Sequence, residues 1–269
     1  MRARGTGLLL LAASAWAGCL CGDVPNLSAN LDAGQDANTP VDAGPPADAG
    51  TDGGATVPAP MVFLPFDEGG GTIAHDVYGT DNGTLSTPPP IWVPDGDGGF
   101  ALYLDGGTSV DLGNPSNLHL VGSMTVSMRF SVSAIHGFND EPLVSKRGLS
   151  LQRGFQLYLG TDVGGTNVVF DVADGGSYVA CYGNTGIDAG VWYHSVGVFD
   201  ATAQTIFVYL NGQLDGSCSV GYPLQQDPAL NVVIGREAGG ALGQTFEGTV
   251  DDLALWNLPL TAAQVRALP

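Results

Sequence analysis

Ile206-Phe207-Val208-Tyr209-Leu210-Asn211-Gly212-Gln213-Leu214 is a run of β-branched and aromatic residues interrupted by one dipeptide. Asn-Gly tolerates positive φ at two successive positions, so the stretch predicts two strands joined by a two-residue type I′ turn. Similar short runs recur along the chain at 61–66, 100–104, 124–132, 154–159, 167–172, 178–182, 191–199, 230–235 and 245–256, each bounded by Gly, Asp, Asn or Pro. No long 3.6-residue period accompanies them. The pattern predicts an all-β fold, a two-sheet antiparallel sandwich. One short helix closes the chain, because Thr261 and Gln264 form a capping box and Leu260 and Val265 are placed to staple across it.

Composition supports strands and excludes some partners. Only four glutamates (Glu68, Glu141, Glu237, Glu247) stand among the 27 acidic residues, and Asp favours turns where Glu favours helices. With 8 Lys+Arg the formal charge is −19, which repels a nucleic-acid backbone. The 44% of hydrophobic residues is enough to build a core.

Residues 1–18 read as a signal peptide: Arg2 and Arg4, the apolar run Leu8 to Ala13, then small residues before Cys19. That run is too short to span a bilayer. Trp16-Ala17-Gly18-Cys19 resembles a bacterial lipobox, with Trp16 where an aliphatic residue is usual, and implies a lipid on Cys19. Ala15-Trp16-Ala17 also suits ordinary signal peptidase and plain secretion, but the long polar stretch that follows at once favours the lipid. Either route places the mature chain outside the cytosol, as a cell-surface or outer-membrane lipoprotein or a secreted protein, touching membrane only through the anchor. Residues 19–58 are rich in Asp, Ala, Gly and Pro, contain no aromatic and no Lys or Arg, and read as a disordered, self-repelling tether. Residues 59–269 form the single folded domain.

Several strands in this order resemble the laminin-G-like, concanavalin A-type lectin/glucanase jelly roll. The resemblance is carried by Phe63-Leu64-Pro65-Phe66-Asp67-Glu68-Gly69, His75 to Leu85, Ala101-Leu102-Tyr103-Leu104-Asp105-Gly106, Met124 to Phe130 and Leu143-Val144-Ser145-Lys146. It continues through Trp192-Tyr193-His194-Ser195-Val196, Tyr209-Leu210-Asn211-Gly212, Phe246 to Asn257 and Leu260 to Val265. It implies a jelly-roll sandwich that binds carbohydrate or protein without catalysis, often with a structural calcium ion.

The resemblance also implies ligands for that calcium. Period-2 alternation places Asp251 on the face of Leu253 and Leu255, the core face, where a carboxylate must be paired or metal-bound. The aspartate matching it in similar domains shares calcium with the loop after the first strand, here Asp76 and Asn82, with Asp81 between them. The alternative is that Asp251 accepts main-chain hydrogen bonds and the loop residues are turn formers. For sugar stacking the candidates near turns are Trp92, Tyr178 and Tyr182. Trp192, Trp256 and His194 are expected to pack in the core. No catalytic set is legible: no two glutamates sit at alternating positions of one strand, and the consecutive Asp251 and Asp252 should point to opposite faces. Beyond Cys19 and Cys21, Cys181 and Cys218 remain as a disulfide candidate in an exported domain, or as two buried thiols. The expected partner is a glycan or an envelope or extracellular protein, with the chain acting as a monomer.

Overall fold

The Asn211-Gly212 turn adopts φ of 50° and 74°, as a type I′ turn requires, and joins two antiparallel strands. The computed structural model describes residues 55–96, 98–136, 140–148, 153–162, 165–240 and 244–269. The signal peptide, Cys19 and nearly all of the tether lie outside the described residues.

The first half contributes β1 (Val62–Leu64), β2 (Ile73–Ala74), β3 (Gly83–Leu85), β4 (Ile91–Pro94), β5 (Phe100–Asp105), β6 (Val110–Asp111), β7 (Met124–Val132) and β8 (Glu141–Ser145). The second contributes β9 (Arg153–Asp162), β10 (Gly165–Asp174), β11 (Tyr178–Gly186), β12 (Tyr193–Asp200), β13 (Thr205–Leu210), β14 (Gln213–Ser219), β15 (Val233–Ile234) and β16 (Glu247–Trp256). Helix α1 (Ala262–Arg266) follows. The first sheet runs β14-β13-β12-β7-β16-β5-β4, with β1 paired to β16, and the second runs β11-β10-β9-β8-β15-β6-β3-β2. All the described strand pairs are antiparallel, which makes the two-sheet jelly-roll sandwich that the alternation predicts.

Alternate residues of each strand meet between the sheets. Val126, Met128 and Phe130 of β7 and Ile206 and Val208 of β13 face Phe155, Leu157 and Leu159 of β9 and Val168, Phe170 and Val172 of β10, all fully buried. Gly197 of β12 sits where the sheets approach tightly, since a Cβ there would lie 2.4 Å from Cγ of Phe170. Gly197→Ala is therefore expected to cost about 1–3 kcal/mol, the range for overpacking a filled core; an unchanged urea midpoint would show that the ring yields freely.

A second apolar cluster lies on the outer face of the first sheet. Val196, Val198, Tyr209, Ala254 and Trp256 are covered by Leu260 and Val265. The capping box forms: Thr261 Oγ1 accepts from Gln264 N, and Gln264 Oε1 accepts from Thr261 N at 2.9 Å. The chain before β1 crosses the same face, with Trp256 Nε1 donating to Pro58 O at 2.8 Å and Gln264 Nε2 to Thr56 O at 3.2 Å. The described fold thus takes in residues just before Ala59. Trp256 is buried as expected, whereas Trp192 precedes β12 and is only half-buried.

Cys181 of β11 and Cys218 of β14 are joined by a disulfide, with their Cα atoms 5.6 Å apart. These are the end strands of opposite sheets, so the bond closes one edge of the sandwich.

Candidate functional site: the outer face of strands β8 to β11

Because Phe155, Leu157 and Leu159 point inward, Gln156 and Tyr158 point outward, and the same holds for Val169, Asp171 and Ala173 of β10. On β11 the inward Val179 and Cys181 leave Tyr178, Ala180 and Tyr182 on the outer face. The register sets these residues in rows across the sheet. One row is Ser145, Gln156, Asp171 and Ala180; a second is Pro142, Tyr158, Val169 and Tyr182; a third is Gly154, Ala173 and Tyr178. A polar row is thus flanked by two that carry tyrosines.

Arg147, just beyond β8, keeps the outward alternation of Ser145, because the pairing with β9 runs on: Lys146 N donates to Phe155 O at 2.9 Å and Gly148 bridges Arg153. The Arg147 guanidinium lies 4.9 Å from the ring centroid of Tyr178, and its Nη1 is 2.5 Å from Asp171 Oδ2, an ion pair with both partners buried. Burial pushes the Asp171 carboxyl up to about 7 against the pull of Arg147, with the nearby Asp140 adding to the rise. Asp140 is itself raised by burial, and so is the Tyr158 hydroxyl. Ser145 Oγ donates to Gln156 Oε1 at 3.2 Å. Gln156 Nε2 and Arg147 Nε are buried donors with no hydrogen-bond partner among the described residues. At the rim Tyr178 is 49% exposed.

Tyr178 and Tyr182 therefore share one face, but Trp92 does not join them. It lies on β4, at the edge of the sandwich opposite β11 and β14, packs partly against the core and donates from Nε1 to Gly71 O at 3.2 Å. The sequence reading missed Arg147, Gln156, Tyr158 and Asp171. Alternation along β9 and β10 carries a signal for the last three. Arg147 follows the outward Ser145 by two residues, so the same alternation puts it on this face once the pairing of β8 with β9 is seen to run on to Gly148 and Arg153.

The carboxylates expected at calcium are arranged differently from the alternation. A bulge in β16, where Asp252 has φ of 49° and the register against β7 shifts between Asp251 and Ala254, reverses the parity of the strand. Val250, Leu253 and Leu255 consequently face the core, whereas Asp251 lies on the outer face opposite Arg129. The same bulge corrects the expectation that consecutive aspartates diverge: Arg129 Nη1 is 3.2 Å from Asp251 Oδ2 and 3.4 Å from Asp252 Oδ2. Arg129 and Asp252 border two clefts, one of about 240 Å³ beside Phe63, Tyr78, His194 and Trp256, the other of about 470 Å³ beside Asp67, Asp95 and Phe100. His194 is satisfied, Nε2 lying 2.7 Å from Ser127 Oγ, and burial and Arg129 hold it down to about 4. Asp76 and Asn82 form a separate turn, in which Asp76 N donates to Asn82 Oδ1 at 2.9 Å. The fold also brings two glutamates to one imidazole, with His136 Nδ1 at 3.3 Å from Glu141 and Nε2 at 3.7 Å from Glu247.

Comparison with known proteins shows the same architecture. No curated protein matches the chain. Among solved structures, domain 4 of AbnA, an extracellular GH43 arabinanase from Geobacillus stearothermophilus solved with arabinotriose, is 20% identical, covering 77% of this chain and 97% of that one with a TM-score of 0.58. The ligand-binding domain of botulinum neurotoxin serotype D, solved with N-acetylneuraminic acid, is 14% identical over 77% of this chain and 50% of that one, with a TM-score of 0.56. The CBM40 of Ruminococcus gnavus IT-sialidase bound to α2,3-sialyllactose is 15% identical over 62% and 95%, with a TM-score of 0.50. At such identities the likeness is one of fold. Residues 96–266, more than half of the chain, match the Laminin_G_3 family model, and the protein belongs to the concanavalin A-like lectin/glucanases superfamily.

Proposed function

We propose that this protein is a non-catalytic glycan-binding module displayed outside the cell, held by a lipid on Cys19 and set off from the membrane by the tether of residues 19–58. The observation that carries the reading is the outer face of β8 to β11, where Tyr158, Tyr178 and Tyr182 flank the polar row of Gln156 and Asp171 with Arg147 above it. Tyrosine rings suit the apolar faces of pyranose or furanose rings, and hydroxyls pair with an amide, a carboxylate and a guanidinium. The glycans held by the similar domains, arabinotriose, N-acetylneuraminic acid and sialyllactose, support a sugar partner without naming which sugar this face takes.

The test is a glycan array followed by titration of the retained oligosaccharide against wild type, Tyr178→Ala, Tyr182→Ala and Trp92→Ala. Loss of one stacked tyrosine should weaken binding on the order of tenfold, while Trp92→Ala, at the far edge, should change it little. Retention of no glycan by the wild type, with capture of an envelope protein instead, would replace this reading with an interaction module. Release of reducing ends from a polysaccharide panel would overturn the non-catalytic part.

A further inference from the structure

A calcium ion needs several oxygens free to face it at about 2.3–2.6 Å. The residues that the family resemblance points to do not present them. Asp76 Oδ1 accepts from Phe63 N at 3.0 Å and Tyr78 N at 3.1 Å, and its Oδ2 accepts from Asp81 N at 3.2 Å. Asn82 Oδ1 is taken by Asp76 N. In the acidic cleft one oxygen of each carboxylate is taken by the main chain: Asp67 Oδ1 accepts from Phe100 N at 3.1 Å, and Asp95 Oδ1 from Gly99 N at 2.9 Å. Among the described residues, no three His, Cys, Asp or Glu side chains are grouped to hold a metal.

At Asp251 the position of a cation is filled by the chain itself. Its Oδ1 accepts from Asp252 N at 3.1 Å, and its Oδ2 faces the Arg129 guanidinium. β16 pairs with β7 so that Arg129 is directly opposite Asp251, and the bulge turns Asp252 onto the same nitrogen. The ring of Trp192 lies 5.3 Å from the guanidinium carbon on a further side. The Asp251 side chain is 3% exposed, so its charge needs a partner in place rather than one borrowed from solvent. From this geometry we infer that Arg129 is the resident cation of the outer face of the first sheet, bridging Asp251 and Asp252 across the bulge so that the domain holds its fold without a divalent metal.

The inference rests on the fold and not on the glycan reading, and its test reads stability alone. Full-length wild type, Arg129→Met and the triple variant Arg129→Met/Asp251→Asn/Asp252→Asn are melted in EDTA and in millimolar calcium chloride. Wild type should melt at the same temperature in both, within about 2 °C. Arg129→Met should melt several degrees lower in EDTA, and neutralising both aspartates should recover most of that loss. Recovery of Arg129→Met by calcium would also support the assignment, because a cation is then what the site lacks. A wild-type melting temperature that drops in EDTA or climbs in calcium overturns it. So does an Arg129→Met variant as stable as wild type, or a triple variant no more stable than the single one. If Arg129→Met does not fold, the wild-type comparison still decides, joined by calorimetric titration of the wild type with calcium, in which heat of binding counts against the inference.

Discussion

Replacing Cys181 and Cys218 together with alanine is expected to lower the stability of the domain by about 3–4 kcal/mol, the chain-entropy value for a loop closed over 37 residues. For a domain of this size that corresponds to a drop in melting temperature on the order of 10 °C. The bond matters here because it joins the end strands β11 and β14, which belong to different sheets and are linked by no ladder of main-chain hydrogen bonds. The two strands already approach closely, a Cβ on Gly216 lying 2.2 Å from the Tyr182 carbonyl oxygen. Without the bridge this edge can part in the denatured ensemble at no cost and must be reclosed on folding. Urea denaturation of the double variant under oxidising conditions measures the effect, and a midpoint equal to that of the wild type would show that apolar packing alone closes the edge.

Arg147→Met should cost a similar amount for a different reason. Asp171 is fully buried, and removing its guanidinium partner leaves an uncompensated charge, a loss of about 3–5 kcal/mol for buried pairs. The loss should depend on pH. Burial raises the folded-state pKa of Asp171 to about 7 even with Arg147 present, well above the value near 3.9 of an unfolded aspartate. Between those values the native state binds the extra proton, so the contribution of Asp171 favours folding at low pH and is lost as pH rises from about 4 to about 7. Removing Arg147 pushes the carboxyl higher still. The deficit of the variant should therefore be smallest near pH 5, where Asp171 is neutral in both proteins, and larger by about 1.4 kcal/mol near pH 8, one unit above the wild-type value of about 7. Urea unfolding of both proteins at the two pH values measures it, and a deficit of equal size at each would mean that Arg147 acts through packing over Tyr178 instead of through charge.

Where the sequence was legible, the interactions were local. The positive φ at Asn211 and Gly212 and the reciprocal hydrogen bonds of Thr261 and Gln264 involve neighbours a few residues apart, so their patterns survive reading without coordinates. Alternation along β9 and β10 is likewise local and identifies the inward faces. It failed at Asp251, because a single residue at φ of 49° reverses the parity of β16 and leaves no compositional trace. The aspartates that alternation sends to opposite faces consequently meet at one guanidinium.

The order of the runs and their turn residues determined by themselves that this chain makes a two-sheet antiparallel sandwich, because burial of alternate side chains and the conformations of Asn, Gly and Pro act over a few residues. Which groups come together on its surfaces was decided only by tertiary structure. Strand order sent Trp92 to the edge away from Tyr178 and Tyr182, and register placed Gln156 beside Asp171. The pairing of β8 with β9, which runs on to Gly148 and Arg153, set Arg147 against both Asp171 and Tyr178. These outcomes depend on pairings between segments far apart in the chain, whose energies belong to the assembled sheets and to none of their strands alone.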